Sequence, residues 1–94
     1  MITRLVKLTL LPEKTELFKE IFYEHEVSIK KFHGCLTQEL QRDINSPTVF
    51  FTISKWNSVA DLENYRNSEL FKIIWPKIKI LFAEKAMVWS LEVQ

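Results

Sequence analysis

Glycine is almost missing from this chain of 94 residues: Gly34 is the only one. Neither the G-x-G-x-x-G turn of dinucleotide-binding folds nor the G-x-x-x-x-G-K-[ST] phosphate loop can be written with one glycine, so a nucleotide held by a glycine-rich loop is excluded. Cysteine is equally scarce. Cys35 alone cannot close an internal disulfide or supply the two or more thiolates of a structural zinc site, so the fold has to stand on packing. No run of about eighteen apolar residues is present, and the N-terminus alternates polar and apolar residues where a signal peptide has a continuous apolar core. The expected compartment is therefore the cytoplasm, with no membrane partner. Thirteen Lys and Arg stand against twelve Asp and Glu, a net charge of +1 with no basic cluster, which leaves no electrostatic footprint for nucleic acid. Ser-His-Asp, H-E-x-x-H and carboxylate-rich metal spacings are missing too, so hydrolysis by those routes has no support and no metal site is expected.

What the chain has in quantity is aromatic: seven Phe, three Trp and two Tyr, within 47% hydrophobic residues. The length suits one small core, and a single domain over residues 1–94 is expected. Ile2, Val6, Leu8 and Leu10 alternate with Thr3, Leu5, Lys7 and Thr9, the period-2 pattern of a strand. Pro12 opens a helix with Glu13 and Glu16 in its first turn, where a fixed φ and negative charge are favoured. Leu17, Phe18, Ile21, Phe22, Ile29 and Phe32 follow at helical spacing, which predicts one helix over about residues 13–32, ended by Gly34 as a left-handed cap. Residues 35–42 and 48–56, joined by Asp43-Ile44-Asn45-Ser46-Pro47, read as a hairpin. Ser58 with Asp61 resembles a capping box for a short helix carrying Leu62 and Tyr65. Ser68 then starts a longer helix through Phe71, Ile74, Trp75, Ile78 and Phe82, in which Pro76 should cause a kink near Trp75. A final strand is expected over about residues 85–93.

The order β-α-β-β-α-β is that of the ferredoxin-like α+β fold, a four-stranded antiparallel sheet with helices on one face. The last two strands carry large apolar groups on both faces: Phe51 and Ile53 opposite Phe50 and Trp56, then Met87, Trp89 and Leu91 opposite Val88. Helices cover only one face, so a second copy of the chain is expected on the other, giving a homodimer packed sheet to sheet.

Phe32-His33-Gly34-Cys35-Leu36, Arg42-Asp43, Phe50-Phe51-Thr52 through Trp56, and Tyr65-Arg66-Asn67-Ser68-Glu69-Leu70-Phe71 resemble the antibiotic biosynthesis monooxygenase family along essentially the whole chain. The resemblance implies a dimeric α+β barrel with a pocket between sheet and helices. Some members oxidise phenolic polyketides or quinols with molecular oxygen and no prosthetic group, and others degrade heme. The axial histidine of the heme-degrading members falls four residues after the phenylalanine of the S-x-x-F segment. That position here is Trp75, whose indole nitrogen only donates and cannot ligate iron. A tryptophan of those enzymes corresponds to Tyr65. Heme degradation is the least favoured reading, and His25 or His33 would have to rescue it from a different helix.

His25 lies about 20° from Phe18 on a helical wheel, in the middle of the apolar stripe that includes Phe22. It is either a core histidine satisfied by a neighbour or a pocket residue able to take a phenolic proton, since imidazole titrates near neutrality. His33 is expected to sit at the helix end beside its carbonyls. Trp56, Tyr65, Phe71 and Trp75 gather where the third strand meets the second helical region. Singly each reads as core. Together they suit an aromatic-walled pocket for a flat electron-rich ligand, with the Tyr65 hydroxyl as polar handle. The Arg42-Asp43-Ile44-Asn45 loop and the set Lys72, Lys77 and Lys79 read as solvated, and Cys35 as packing. Taken with these residues, the resemblance implies a cofactor-independent monooxygenase of a small aromatic substrate such as a hydroquinone or polyphenol. His25 is the expected base, Tyr65 the expected hydrogen-bond partner, and Trp56, Phe71, Trp75 and Phe22 the expected substrate-binding walls. The competing reading is a non-catalytic dimeric barrel that binds a small molecule.

Overall fold

Alternation in the first ten residues produces strand β1 (Ile2–Thr9) in a computed structural model that describes all 94 residues. Pro12, with no N–H to leave unpaired, starts a single 3-10 turn (Pro12–Lys14) that runs into helix α1 (Thr15–Lys30), whose apolar stripe buries Phe18, Phe22 and Ile29. Strands β2 (Cys35–Arg42) and β3 (Val49–Trp56) form the hairpin, and its loop is held by the Asn45 N–H donating to Asp43 Oδ1 at 2.8 Å. Helices α2 (Val59–Arg66) and α3 (Glu69–Lys79) each start on a serine cap. Ser58 Oγ accepts from the Asp61 N–H and Ser68 Oγ from the Phe71 N–H, both at 3.1 Å, each worth about 1 kcal/mol. The Ser68 hydroxyl also donates to the Tyr65 carbonyl at 2.6 Å, so one side chain closes α2 and opens α3. Strand β4 (Met87–Leu91) completes the chain.

The four strands make one antiparallel sheet in the order β2-β3-β1-β4, the ferredoxin-like arrangement. Register sorts the side chains onto two faces. Ile2, Val6 and Leu8 of β1 share the helix-covered face with Trp56, Thr52 and Phe50 of β3. Two buried groups stand at its opposite ends. One is Leu8, Leu10, Phe18, Phe22, Phe50, Ile78 and Leu81; the other is Ile2, Trp56 and Leu62, with Phe32, Cys35 and Tyr65 against it. The other face carries Leu5, Phe51, Ile53, Met87, Trp89 and Leu91, and no element of the chain covers it. All five residues of β4 are exposed, Trp89 by 38% and Met87 by 51%.

Four expectations change in detail. The first helix ends at Lys30 rather than near Phe32, because Lys31 and Phe32 close it by donating to the Val27 and Ile29 carbonyls. Gly34 has the left-handed φ of +86°, but it does not cap that helix. It occupies the third position of a separate turn in which the Cys35 N–H donates to the Phe32 carbonyl at 3.0 Å. His33 is accordingly in the turn, with Nε2 3.7 Å from Asp61 Oδ1, and not among the helix carbonyls. The last strand is shorter than its alternation suggested, since only Met87–Leu91 finds partners on β1. Pro76 stands inside α3, which continues to Lys79.

Candidate functional site

Between the two buried groups the inner face of the sheet changes character. Gln38 of β2 pairs in register with Ser54 of β3, Ser54 with Arg4 of β1, and Arg4 with Ser90 of β4, so one row across all four strands is polar. Ser54 is the one polar residue in the buried set, and its Oγ accepts from the Trp56 indole N–H at 2.9 Å. Arg4 donates from Nη1 to Ser90 Oγ at 3.0 Å. Apolar helix side chains laid on such a row would strand a guanidinium and an amide away from water, at a cost of several kcal/mol for the charge alone. The helices instead leave a cavity of about 260 Å³ above it.

The cavity roof is built from aromatic rings. Trp56 stacks on Tyr65 with centroids 5.1 Å apart, Tyr65 meets Phe71 edge to face at 5.3 Å, and Phe71 stacks on Trp75 at 5.6 Å with 12° between planes. The ladder runs from the end of β3 over α2 and along α3, and each pair adds about 0.5–1.5 kcal/mol beyond its buried area. Helix α1 supplies the opposite wall through Phe22, Ile29 and, between them, His25. The His25 ring is not sealed in the core. It opens on the cavity, and its Nε2 lies 3.4 Å from Lys77 Nζ of α3. An ammonium only donates, so this contact makes Nε2 the acceptor and leaves the neutral ring's proton on Nδ1.

Burial, with a smaller contribution from the neighbouring Cys35, holds the Tyr65 phenol well above its ordinary range. Tyr65 thus stays a neutral donor at any physiological pH. Burial first, and then the charge of Arg66, pulls the Arg4 guanidinium down, with Glu63 partly opposing. Burial also pushes the Cys35 thiol up against the pull of Lys30, which keeps it an unreactive thiol.

The model of the family described as antibiotic biosynthesis monooxygenase matches residues 1–74. The chain belongs to the antibiotic biosynthesis monooxygenase family. Solved structures extend the likeness over the remaining helix and strand. One described as an antibiotic biosynthesis monooxygenase is 20% identical, with a TM-score of 0.92 over 100% of this chain and 99% of its own. A conserved protein from Methanosarcina mazei Go1 is 19% identical, with a TM-score of 0.93 over 100% of this chain and 94% of that one. Rv0793 from Mycobacterium tuberculosis is 12% identical, with a TM-score of 0.90 over 99% and 94%. At such identities these structures establish the fold. No curated protein sequence matches the chain.

In this antibiotic biosynthesis monooxygenase domain His25, Tyr65, Trp56, Phe71, Trp75 and Phe22 all line the one cavity. Sequence reasoning missed the polar row beneath them. Its signal was present, as a charge at the inward position between Ile2 and Val6, and as Thr52 and Ser54 between Phe50 and Trp56. Without the register, those residues read as ordinary interruptions. Lys77, taken as part of a wet helix face, is exposed, yet its Nζ lies 3.4 Å from His25 Nε2. No group of three or more His, Cys, Asp or Glu side chains is placed to hold a metal ion, and no helix is long and apolar enough to cross a membrane.

Proposed function

We propose that the protein is a monooxygenase that oxidises a small aromatic substrate, of hydroquinone or polyphenol type, with molecular oxygen and without a prosthetic group. The observation that carries this reading is a cavity roofed by stacked aromatic rings onto which His25 and Tyr65 both open. A flat ring lies against such a roof by offset stacking or edge-to-face contact, and about 260 Å³ suits one or two fused rings, just below the usual range for drug-sized ligands. His25 takes a phenolic proton on Nε2, the one ring nitrogen with a lone pair, once the Lys77 ammonium gives up its 3.4 Å contact there. The resulting anion is electron-rich enough to reduce dioxygen itself, so one oxygen atom enters the ring, the other leaves as water, and the substrate gives up two hydrogens. Tyr65, held protonated by burial, donates a hydrogen bond to the oxyanion as charge develops. Trp56, Phe71, Trp75 and Phe22 orient the ring and exclude water.

The working unit of this proposal is a homodimer. The uncovered sheet face presents Trp89, Met87 and Leu91, and burying large apolar side chains contributes about 1.5–3 kcal/mol each, so a second copy seated there stabilises both. A single domain in the cytoplasm completes the reading.

Oxygen uptake by the purified protein over a panel of hydroquinones tests the proposal. His25→Ala should lower the rate by about 10²–10⁴ while leaving ring binding intact, the usual worth of a positioned base. No uptake with any hydroquinone, or full activity in His25→Ala, overturns it. A second reading, a non-catalytic barrel that binds a small molecule, draws on the Lys77 contact, because an ammonium facing Nε2 occupies the lone pair a base needs. Ring binding without oxygen uptake would support that reading.

A further inference from the structure

The cavity has a charge asymmetry that a site for a neutral ring does not need. Arg4 and Arg66 both line it, and no Asp or Glu does, although the chain carries twelve of them. Arg66 is paired on its outer side with Glu63 at 2.9 Å. Arg4 has no carboxylate within ion-pair distance, Glu63 acting on it only from farther off, and its one side-chain hydrogen bond goes to the neutral Ser90 hydroxyl. Two guanidiniums turned toward one apolar cavity repel each other, and low-dielectric walls strengthen their attraction for an anion. Across the floor, on the far side of Ser54, Gln38 Oε1 is buried with no hydrogen-bond partner. The terminal torsion of a glutamine is broad, so the amide can turn to present that oxygen to a ligand hydroxyl. Gln38 and Arg4 stand on strands separated by β3, so their backbones are about 9.5 Å apart.

We propose that the preferred ligand of this cavity is a hydroxyaryl carboxylate, its carboxylate on Arg4 with Arg66 behind it and its hydroxyl, across the ring system, donated to Gln38. The proposal rests on the reading of the cavity as an aromatic-ligand site and names the class of molecule it selects. Charge-assisted bonds to a guanidinium are about twice as strong as neutral ones, and a fork of N–H groups fits a carboxylate in a way it does not fit an amide.

Calorimetric titration with three probes tests it: 6-hydroxy-2-naphthoate, its neutral amide, and 2-naphthoate. In the unmodified protein the hydroxy acid should bind at least about tenfold more tightly than the amide, and about threefold or more better than the acid without a hydroxyl. Arg4→Gln should bring acid and amide within twofold of each other by weakening the acid alone. Arg66→Gln, at an exposed and already paired residue, should cost the acid about threefold or less. Gln38→Leu should erase the advantage of the hydroxyl. Equal binding of acid and amide by the unmodified protein overturns the proposal without recourse to any variant, as does a preference that survives Arg4→Gln or the absence of binding by all three probes. Failure of this inference is distinguishable from failure of the catalytic one. Acid preference without oxygen uptake removes the monooxygenase and keeps the anion site. Catalysed uptake with neutral hydroquinones, alongside equal binding of acid and amide, does the reverse.

Discussion

Replacing Gly34 by alanine should destabilise the protein by about 2–5 kcal/mol, through two separable effects. The first is conformational: at φ +86° an L side chain is strained, by about 1–2 kcal/mol. The second is steric. A Cβ at this position overlaps the Asp61 side chain, and Asp61 has little freedom to withdraw. Its N–H is bound to the Ser58 cap at 3.1 Å, and its carboxylate, 16% exposed, faces His33 at 3.7 Å. Crowding of that kind costs about 1–3 kcal/mol. The loss is not confined to the turn, because the Gly34 carbonyl accepts from the Asn57 N–H at 2.9 Å and so ties the turn to the end of β3, next to Trp56. Urea unfolding followed by far-ultraviolet circular dichroism measures the change, and the thermal midpoint should fall by more than about 8 °C for a domain of this size. In an Asp61→Gly background, which removes the Cβ at this contact along with the carboxylate, the same glycine replacement should cost only the conformational part. A loss below about 0.5 kcal/mol would refute the strain argument, and an undiminished loss in the Asp61→Gly background would refute the steric one.

Ser54→Ala leaves the buried Trp56 indole N–H without its acceptor and should cost about 1–3 kcal/mol in the same unfolding assay, whereas Ser54→Thr, which keeps a hydroxyl, should recover part of the loss. Stability should decline in alkali. The folded-state pKa of Tyr65 and of Cys35 is raised by burial, so above their ordinary values the unfolded chain loses protons that the native state keeps. Each contribution is complete below the group's ordinary value, about 9 for Cys35 and about 10 for Tyr65, and is lost above it; for the mostly buried Tyr65 the loss reaches about 1.4 kcal/mol per pH unit, and for the half-exposed Cys35 solvent screening makes it smaller. Tyr65→Phe should flatten the part of a melting-temperature profile above about pH 10, and an unchanged profile would contradict the assignment. Trp89→Glu on the uncovered sheet face should turn a dimer into a monomer in sedimentation equilibrium, with the folded protomer retained. A wild-type protein that sediments as a monomer would remove the proposed partner copy.

Element types and their order were legible in the chain because each local signal agreed with its neighbours. Alternation in Ile2–Thr9, the serine at each of positions 58 and 68, and the β-branched and aromatic run of Val49–Trp56 all point to the structure that forms. The aromatic half of the candidate site was legible too. Trp56, Tyr65, Phe71 and Trp75 lie on consecutive elements, and α2 and α3 share the Ser68 junction, so nearness in sequence becomes nearness in space. Element ends were read less well. Whether Gly34 closes the helix or a turn beyond it depends on which carbonyls are left free by Lys31 and Phe32, a matter of hydrogen-bond geometry that a glycine in the sequence does not state.

By itself, then, the sequence determined a ferredoxin-like α+β chain without a glycine-rich nucleotide loop or a disulfide, with its rings gathered around one region and His25 on the inward stripe of its first helix. Only the tertiary structure decided that Gln38, Ser54, Arg4 and Ser90 form one polar row, since these residues come from four strands and meet through register alone. It also decided that Lys77 reaches His25 across 52 positions of sequence. The physical reason is common to both. Local propensity acts over a turn or two of chain, whereas a charge beneath a cavity is the outcome of long-range pairing that places it where apolar helices cannot close over it.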